Sequence, residues 1–156
     1  VNGPEAPTLT EPRLGALMGG FGVIFGGALV ATAFGFTATL QFKTEGNHAF
    51  VAGPRVGIFF PTANVFGSVG ADLGYRGNLV KSSTVEAGPI VLLQPNVAFG
   101  VTNTIPIGIP ITVGGFVHYG AFEGQAGIGG GPLIYTGNFG TTTGFGTFFF
   151  NAGYAF

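Results

Sequence analysis

The chain has 156 residues, enough for one domain, and only 7% of them are charged, against about 25% in an ordinary soluble protein. The net charge of −1 gives no electrostatic basis for binding nucleic acid, and the absence of Cys excludes disulfides and thiolate metal sites. The 31 glycines and 10 prolines exclude a helical bundle, because these residues are the poorest helix formers. A membrane β-barrel or a β-rich subunit buried in a larger assembly remains.

Residues 1–13 carry three prolines and three charges, and they predict an extended, exposed leader before a single β domain over 14–156. The chain starts at Val1 without a Met, so we expect that a signal peptide has already been removed if the protein is exported. Runs of alternating residues predict nine strand segments. They lie at about 15–26, 28–43, 50–60, 65–77, 84–94, 97–105, 110–123, 126–136 and 141–156.

Turn-forming residues separate these segments, at 26–27, 45–48, 61–64, 76–78, 95–96, 106–110 and 123–125. Single-chain bacterial barrels have an even number of strands, so we expect one of the nine segments to be wrong. The candidates for the error are the first segment, the short segment 97–105, or a missed turn near 127–131. Eight strands is the first prediction and ten the second.

The uncharged stretch 14–42 also satisfies the length of a membrane helix, and Gly15 and Gly19 have the small-xxx-small spacing of packed membrane helices. Within 30–42, however, the even positions are mostly large and apolar, and the odd positions are Ala, Gly, Thr and Gln. A helix has no reason to place polar residues at every second position, whereas a barrel strand does. This alternation favours a strand whose even positions face lipid.

Nearly every charge within the strand segments falls on the face opposite the large apolar residues. We therefore predict that they line the lumen of a narrow closed barrel. A hairpin turning at 61–64 would bring Arg55 near Asp72, and one turning around 78–84 would place Arg76 opposite Glu86. Unpaired charges in a narrow lumen are costly, so we expect these residues to form two inward-facing ion pairs.

Catalytic, cofactor and metal sites are not indicated by the sequence. It has two histidines, and neither belongs to an acid–His–nucleophile pattern. His118 falls on the inward face of its strand and is interpreted as a structural histidine. The glycine runs 19–27 and 127–131 are interpreted as packing glycines, because no phosphate-binding Lys accompanies them. We expect a protein that is not an enzyme and that binds no cofactor.

The last strand segment has a large apolar face and a mostly small or polar face, and it ends on an aromatic residue. Asn151, Gly153, Tyr154 and Phe156 resemble the carboxy-terminal assembly signal of bacterial outer-membrane β-barrel proteins. With the alternation along 15–156, the chain resembles the small members of that class. The resemblance implies an all-β, antiparallel, transmembrane up-and-down β-barrel.

The resemblance further implies a bacterial outer-membrane location and a structural, envelope-association or narrow-channel (porin-like) role without catalysis. The implied partners are the lipid bilayer, the outer-membrane assembly machinery, other envelope proteins or further copies of the chain. The short connections, with few charges, argue against a receptor or adhesion role. The alternative is a β-rich, self-assembling subunit of an extracellular fibre or surface layer, which would also be rich in Gly and poor in charge.

Overall fold

A computed structural model describes residues 15–26, 29–43, 47–61, 64–82, 84–101, 103–137 and 140–156, and the predicted leader 1–13 lies outside them. The described residues form strands and turns and include no helix. The strands are β1 (Gly15–Gly26), β2 (Leu29–Lys43), β3 (His48–Pro61), β4 (Phe66–Gly77), β5 (Val80–Lys81), β6 (Val85–Leu93), β7 (Asn96–Phe99), β8 (Thr104–Gly108), β9 (Ile111–Tyr119), β10 (Phe122–Gly137) and β11 (Thr142–Ala155).

These strands form a closed antiparallel barrel of eight wall strands, which confirms the predicted all-β fold and the first choice of strand number. β6 and β7 together make one wall strand, and β8 and β9 make another. The ring closes where β11 pairs with β1, from Ala16 opposite Ala155 to Phe25 opposite Gly146. Backbone hydrogen bonds between Gly15 and Phe156, 2.9 and 3.1 Å long, extend this seam to the last residue.

The ninth predicted segment came from dividing one wall strand in two. Segments 84–94 and 97–105 were separated at Pro95, but the chain does not turn there. The Pro95 carbonyl still accepts a hydrogen bond from the Ala71 amide of β4, and the Gln94 amide donates to the Pro110 carbonyl of the next wall strand. Proline has no N–H for the ladder, so Pro95 and Pro110 interrupt their strands without ending them.

Two other predicted turns are also wrong. Pro106, expected in the turn 106–110, is a buried residue of β8, and the chain turns earlier, near Gly100 and Asn103, which have positive φ angles of 96° and 62°. The turn expected at 123–125 lies instead at Gly120, where φ is +59°. Consequently Glu123 is the second residue of β10.

The predicted alternation of inward and outward residues is confirmed along the walls. In β2 the outward side chains of Val30 and Phe36 are 65% and 66% exposed, whereas Thr37 and Thr39 are each 2% exposed. The side chain of Phe42 lies outside the described residues. Several inward positions must be Gly: an ideal Cβ at Gly20 would overlap the Phe150 carbonyl oxygen of β11 across the closing seam. The glycine-rich β1 therefore allows a tight seam.

The two ends of the barrel are distinguished here by the chain termini. The terminal end holds Gly15 and Ala155, and the opposite end, where β1 ends at Gly26, is called the far end. Strands β9 and β10 meet at the terminal end, while β10 and β11 are connected at the far end. Large outward apolar residues cover the wall between the two ends, and the interior is the lumen.

Candidate functional site in the barrel lumen

Strands β2, β3, β4 and β9, with Gln94 between β6 and β7, position a hydrogen-bonded group at mid-height in the lumen, here called the Asp72 cluster. Asp72 is 1% exposed and accepts four hydrogen bonds. Arg55 Nε and Nη2 bind its two oxygens at 2.8 and 2.9 Å, Thr37 Oγ1 donates at 2.7 Å, and Gln94 Nε2 at 3.0 Å. The paired, bidentate geometry is the strong form of an Arg–carboxylate contact.

The Asp72 cluster connects wall strands on opposite sides of the lumen. Thr37 lies on β2, and Thr112, which donates to Gln94 Oε1 at 3.1 Å, lies on β9, four wall strands away in a ring of eight. The hydrogen bonds that connect them pass through Asp72 of β4 and Gln94 of the next wall strand. Every bonded group of this cluster is partly or fully buried, so the cluster occupies much of the lumen at mid-height.

A second group near the terminal end, the Glu123 cluster, is built from facing positions of neighbouring strands. His118 lies opposite both Glu86 and Glu123 in the strand register. Glu123 is fully buried and binds Arg76 Nη1 at 3.0 Å, Gln125 Nε2 at 3.1 Å and His118 Nδ1 at 3.4 Å.

Arg76 is the only cation described in this second cluster apart from the ionisable imidazole of His118. Its guanidinium lies 3.9 Å from the centre of the Phe116 ring, and its Nη2 is 3.6 Å from Glu86 Oε2. The cation therefore has two carboxylates and an aromatic face as partners, which offset the loss of hydration.

The structure brings the sequence-predicted charges together, but one register was wrong. Arg55 and Asp72 are in direct contact, as the hairpin turning at 61–64 implied. Arg76, however, lies opposite Ile90 and not Glu86. The chain continues beyond Gly77 into β5, whose two residues pair with 86–87, before it turns at Ser82. The Arg76 side chain nevertheless reaches Glu86, and its shorter contact is with Glu123.

Glu123, Gln125 and Gln94 were missed as members of the clusters. The residues Glu-Gly-Gln at 123–125 have a turn-like composition, which concealed their place in a strand. The period of two along the strand could have identified Glu123 and Gln125, because they occupy odd positions, like the inward-facing Gly127 and Gly129 of β10. Gln94 was correctly placed on the polar face, but Pro95 beside it suggested the end of a strand.

The four residues of the predicted assembly signal occupy the closing strand and alternate between its faces. Asn151 is buried in the lumen and Gly153 also faces inward, whereas Tyr154 and Phe156 are exposed on the outer wall. An ideal Cβ at Gly153 would overlap the Leu17 carbonyl of β1, so this position requires Gly for closure. The outer aromatic Phe150, also on β11, packs 6.0 Å from the ring of Phe21.

The far half of the lumen contains an apolar space of about 240 Å³, here called the far cavity. Ile24, Phe59, Phe66, Leu133 and Phe145 are among its lining residues, and all occupy inward positions of their strands. Next to it, towards mid-height, a small cavity of about 80 Å³ has a mainly apolar lining that also includes Arg55, Gln94 and Asn151. The two spaces share lining residues, so the apolar region leads down towards the Asp72 cluster.

His118 is 0% exposed, and within the described part of the chain its Nε2 has no hydrogen-bond partner. It therefore forms no acid–His–nucleophile relay with those residues. The described residues also hold no group of three or more His, Cys, Asp and Glu side chains placed to bind a metal ion.

No helix among the residues described has the length and apolar character to cross a membrane. Neither the protein-family models nor the curated protein sequences compared with this chain gave a match.

Proposed function

We propose that this protein is an integral outer-membrane β-barrel with a structural, envelope-associated role. The observation that carries the proposal is the reversal of polarity between its two surfaces. Six charged side chains are described; five face the lumen, and Lys81 lies in β5 beyond the end of β4. The outer wall instead exposes large apolar side chains all around the ring. Such a surface is unsuited to water and suited to lipid.

The length of the walls supports the same proposal. The wall strands that run unbroken contain 12 to 16 residues, and about 9 to 11 residues suffice to cross a bilayer as a tilted strand. Outward tyrosines mark the terminal end, where Tyr75, Tyr119 and Tyr154 lie within two residues of the ends of their strands. Tyr side chains favour the membrane–water interface, because the ring is apolar and the hydroxyl group is polar.

A structural role is favoured over an ion-conducting one by the Asp72 cluster. A continuous aqueous pore requires an open lumen, whereas this cluster links opposite walls through buried hydrogen bonds. We therefore expect purified barrels in a planar bilayer to show no steady conductance. A reproducible unitary conductance would support the narrow-channel role instead.

Fractionation tests the membrane proposal directly. We expect the protein to remain in the pellet after carbonate extraction, to float with lipid and to migrate differently on SDS gels before and after boiling. A monodisperse protein in detergent would agree with the barrel. Material that sediments as fibres without lipid or detergent would contradict the proposal and support the extracellular assembly.

Cysteine labelling tests which face meets lipid, and the chain's lack of Cys makes each introduced thiol unique. Phe36→Cys should react with a lipid-soluble probe, and Thr39→Cys should not. Thr39 is a suitable inward position, because its hydroxyl has no partner among the described residues and its loss leaves the Asp72 cluster intact. Reaction at 39 without reaction at 36 would overturn the proposed orientation.

A further inference from the structure

We infer that the far cavity is a binding site for one small, uncharged hydrocarbon with a single ring, of the size of toluene. This inference goes beyond the proposed function, because a barrel in water would possess the same lumen. Eight-stranded barrels are wide enough to hold one small ligand where side chains do not fill them.

The far cavity is open because small inward side chains leave part of the far half unfilled. Ala31 of β2 and Ala98 of β7 line it from two wall strands, and their side chains end at Cβ. Nearer the terminal end, by contrast, the larger inward residues Met18 and Ile90 are each 1% exposed. The far cavity measures about 240 Å³, and an apolar cavity of about 150 Å³ already binds benzene. It therefore has room for one ring with a short substituent.

The lining of the far cavity is better suited to a hydrocarbon than to ordered water. Among its described lining residues, the polar side chains are those of Asn96 and Tyr135, and the others are apolar. Asn96 Nδ2 already donates to the Gln94 carbonyl oxygen at 3.0 Å. A buried water needs about two to four polar partners. A hydrocarbon needs none, and its transfer from water to an apolar space is favourable.

Three inward phenylalanines favour a ring over a flexible chain. Phe59 of β3 and Phe66 of β4 are cross-strand partners, and Phe145 lies on β11, which is separated from β3 by two wall strands. All three line the far cavity. Aromatic rings attract one another in offset and edge-to-face contacts. A ligand ring can therefore meet aromatic surface from two separate parts of the wall.

The same lining disfavours an anionic ligand. The described residues of the far cavity carry no charge. Arg55, which lines the neighbouring small cavity, is already engaged by Asp72 at 2.8 and 2.9 Å. A carboxylate in this region would therefore lose its hydration without gaining a free cation. Benzoate, which has nearly the shape of toluene, is thus a matched negative control.

The probe for the test is toluene, titrated calorimetrically into the full chain in lipid nanodiscs, with empty nanodiscs as the blank for its partition into lipid. If fractionation shows that the chain is not a membrane protein, the same titration is made in buffer, so that failure of one proposal is distinct from failure of the other. We expect saturable binding of toluene, and binding of benzoate weaker by about tenfold or more.

Matched variants locate the site. Ala98→Phe places a ring in the far cavity and should weaken toluene binding by about tenfold or more, because the new side chain takes the space of the ligand. Ala38→Phe adds the same ring on the outer face of β2 and should change the affinity by less than about twofold. If Ala98→Phe does not fold, Ala31→Phe enters the same space from another wall strand.

Absence of a saturable component beyond the blank would overturn the inference, and this result is also expected if a lipid acyl chain already fills the cavity. Toluene binding that is insensitive to both cavity-filling variants would place the ligand elsewhere and overturn it as well. Benzoate binding as tightly as toluene would contradict the apolar character assigned to the site.

Discussion

In its middle and terminal parts the lumen holds nearly every charge that the described strands contain, whereas its far half is lined by Phe, Ile, Leu and Ala around an open space. Both regions are formed by inward positions of the same wall strands, so their backbone geometry is shared. The difference lies in the side chains. Buried charged groups need partners, and here they find them by extending into the lumen, which they occupy. Apolar side chains have no such requirement, and the far half can remain partly empty.

The contrast also separates two kinds of stabilisation. In the polar part, each cluster has a carboxylate at its centre with donors from several strands, so that the walls are linked through directional bonds. In the far half, stability depends on strand pairing and on contacts of the outer wall, such as the 5.9 Å edge contact between Phe34 and Phe60. Substitutions in the polar part of the lumen and in its far half should therefore lower the free energy of unfolding by different amounts.

The largest effect is expected from Asp72→Leu. It leaves Arg55 without its bidentate partner, removes the acceptor of Gln94 Nε2, and leaves Thr37 with only its longer contact to the Pro54 carbonyl. Removal of one member of a buried ion pair costs about 3–5 kcal/mol, and we expect a loss of that size in the free energy of unfolding in urea, measured with the barrel in lipid. Val69→Leu, on the outer face of the same strand, is the control and should cost less than about 1 kcal/mol. A similar small loss for both variants would show that the Asp72 cluster does not stabilise the barrel.

The second prediction ranks the Arg76–Glu123 and Arg76–Glu86 contacts by their coupling energies. A double-mutant cycle of Arg76→Met with Glu123→Leu should give a coupling energy of about 1–3 kcal/mol, because the contact is 3.0 Å long and Glu123 is fully buried. The cycle with Glu86→Met should give about 1 kcal/mol or less, since that contact is 3.6 Å long and Glu86 keeps 16% exposure. Removing both partners should harm stability less than removing one. Equal coupling in the two cycles would contradict the ranking.

The period of two along the strands was sufficient to predict the barrel and the direction of most side chains. Alternation in β2 is unambiguous, because its outward residues are large and its inward residues small or polar. It was also sufficient to place Arg55 and Asp72 in one lumen, since their hairpin is short and its register has few alternatives.

The sequence did not show where the strands end. Proline and glycine favour turns in most proteins, yet Pro95 and Pro106 lie within wall strands. Only the tertiary structure shows that the carbonyl of Pro95 keeps its hydrogen bond across the interruption. The short strand β5 likewise displaces the pairing of β4 with β6, so that Arg76 lies opposite Ile90, four residues from the predicted Glu86. A segment of two residues is too short for its alternation to be recognised in the sequence. The far cavity depends on the distance between walls, which a linear pattern does not give.

The third prediction compares the same substitution in the two regions. Ala16→Leu, in the buried group that Ala16 forms with Met18 and Ala155 near the terminal end, should lower the free energy of unfolding by about 1–3 kcal/mol, because the added atoms have no space. Ala98 lines the far cavity. Ala98→Leu should change the free energy of unfolding by less than about 1 kcal/mol, because the larger side chain enters a space that already exists. Parallel urea titrations compare the two. Equal losses would show that the far half is as tightly packed as the terminal half.

The smallest effect on stability is expected from deletion of Phe156, and here the comparison is between stability and assembly. Its side chain is exposed on the outer wall, and its backbone forms two hydrogen bonds with Gly15 at the end of the seam. Bonds at a strand end fray, and each contributes about 1 kcal/mol, so refolded barrels that end at Ala155 should lose only about 1–2 kcal/mol.

In cells, by contrast, we expect the same deletion to reduce the amount of barrel in the membrane several-fold, because the last residue resembles the end of an outer-membrane assembly signal. Quantitative blotting of membrane fractions measures this, and Phe156→Tyr, which keeps an aromatic terminus, is the matched control. Normal membrane levels of the shortened chain would argue strongly against recognition of the carboxy-terminal strand. A loss of stability as large as that of Asp72→Leu would instead place the effect in the closing seam itself, since unfolding and not targeting would then explain the missing protein.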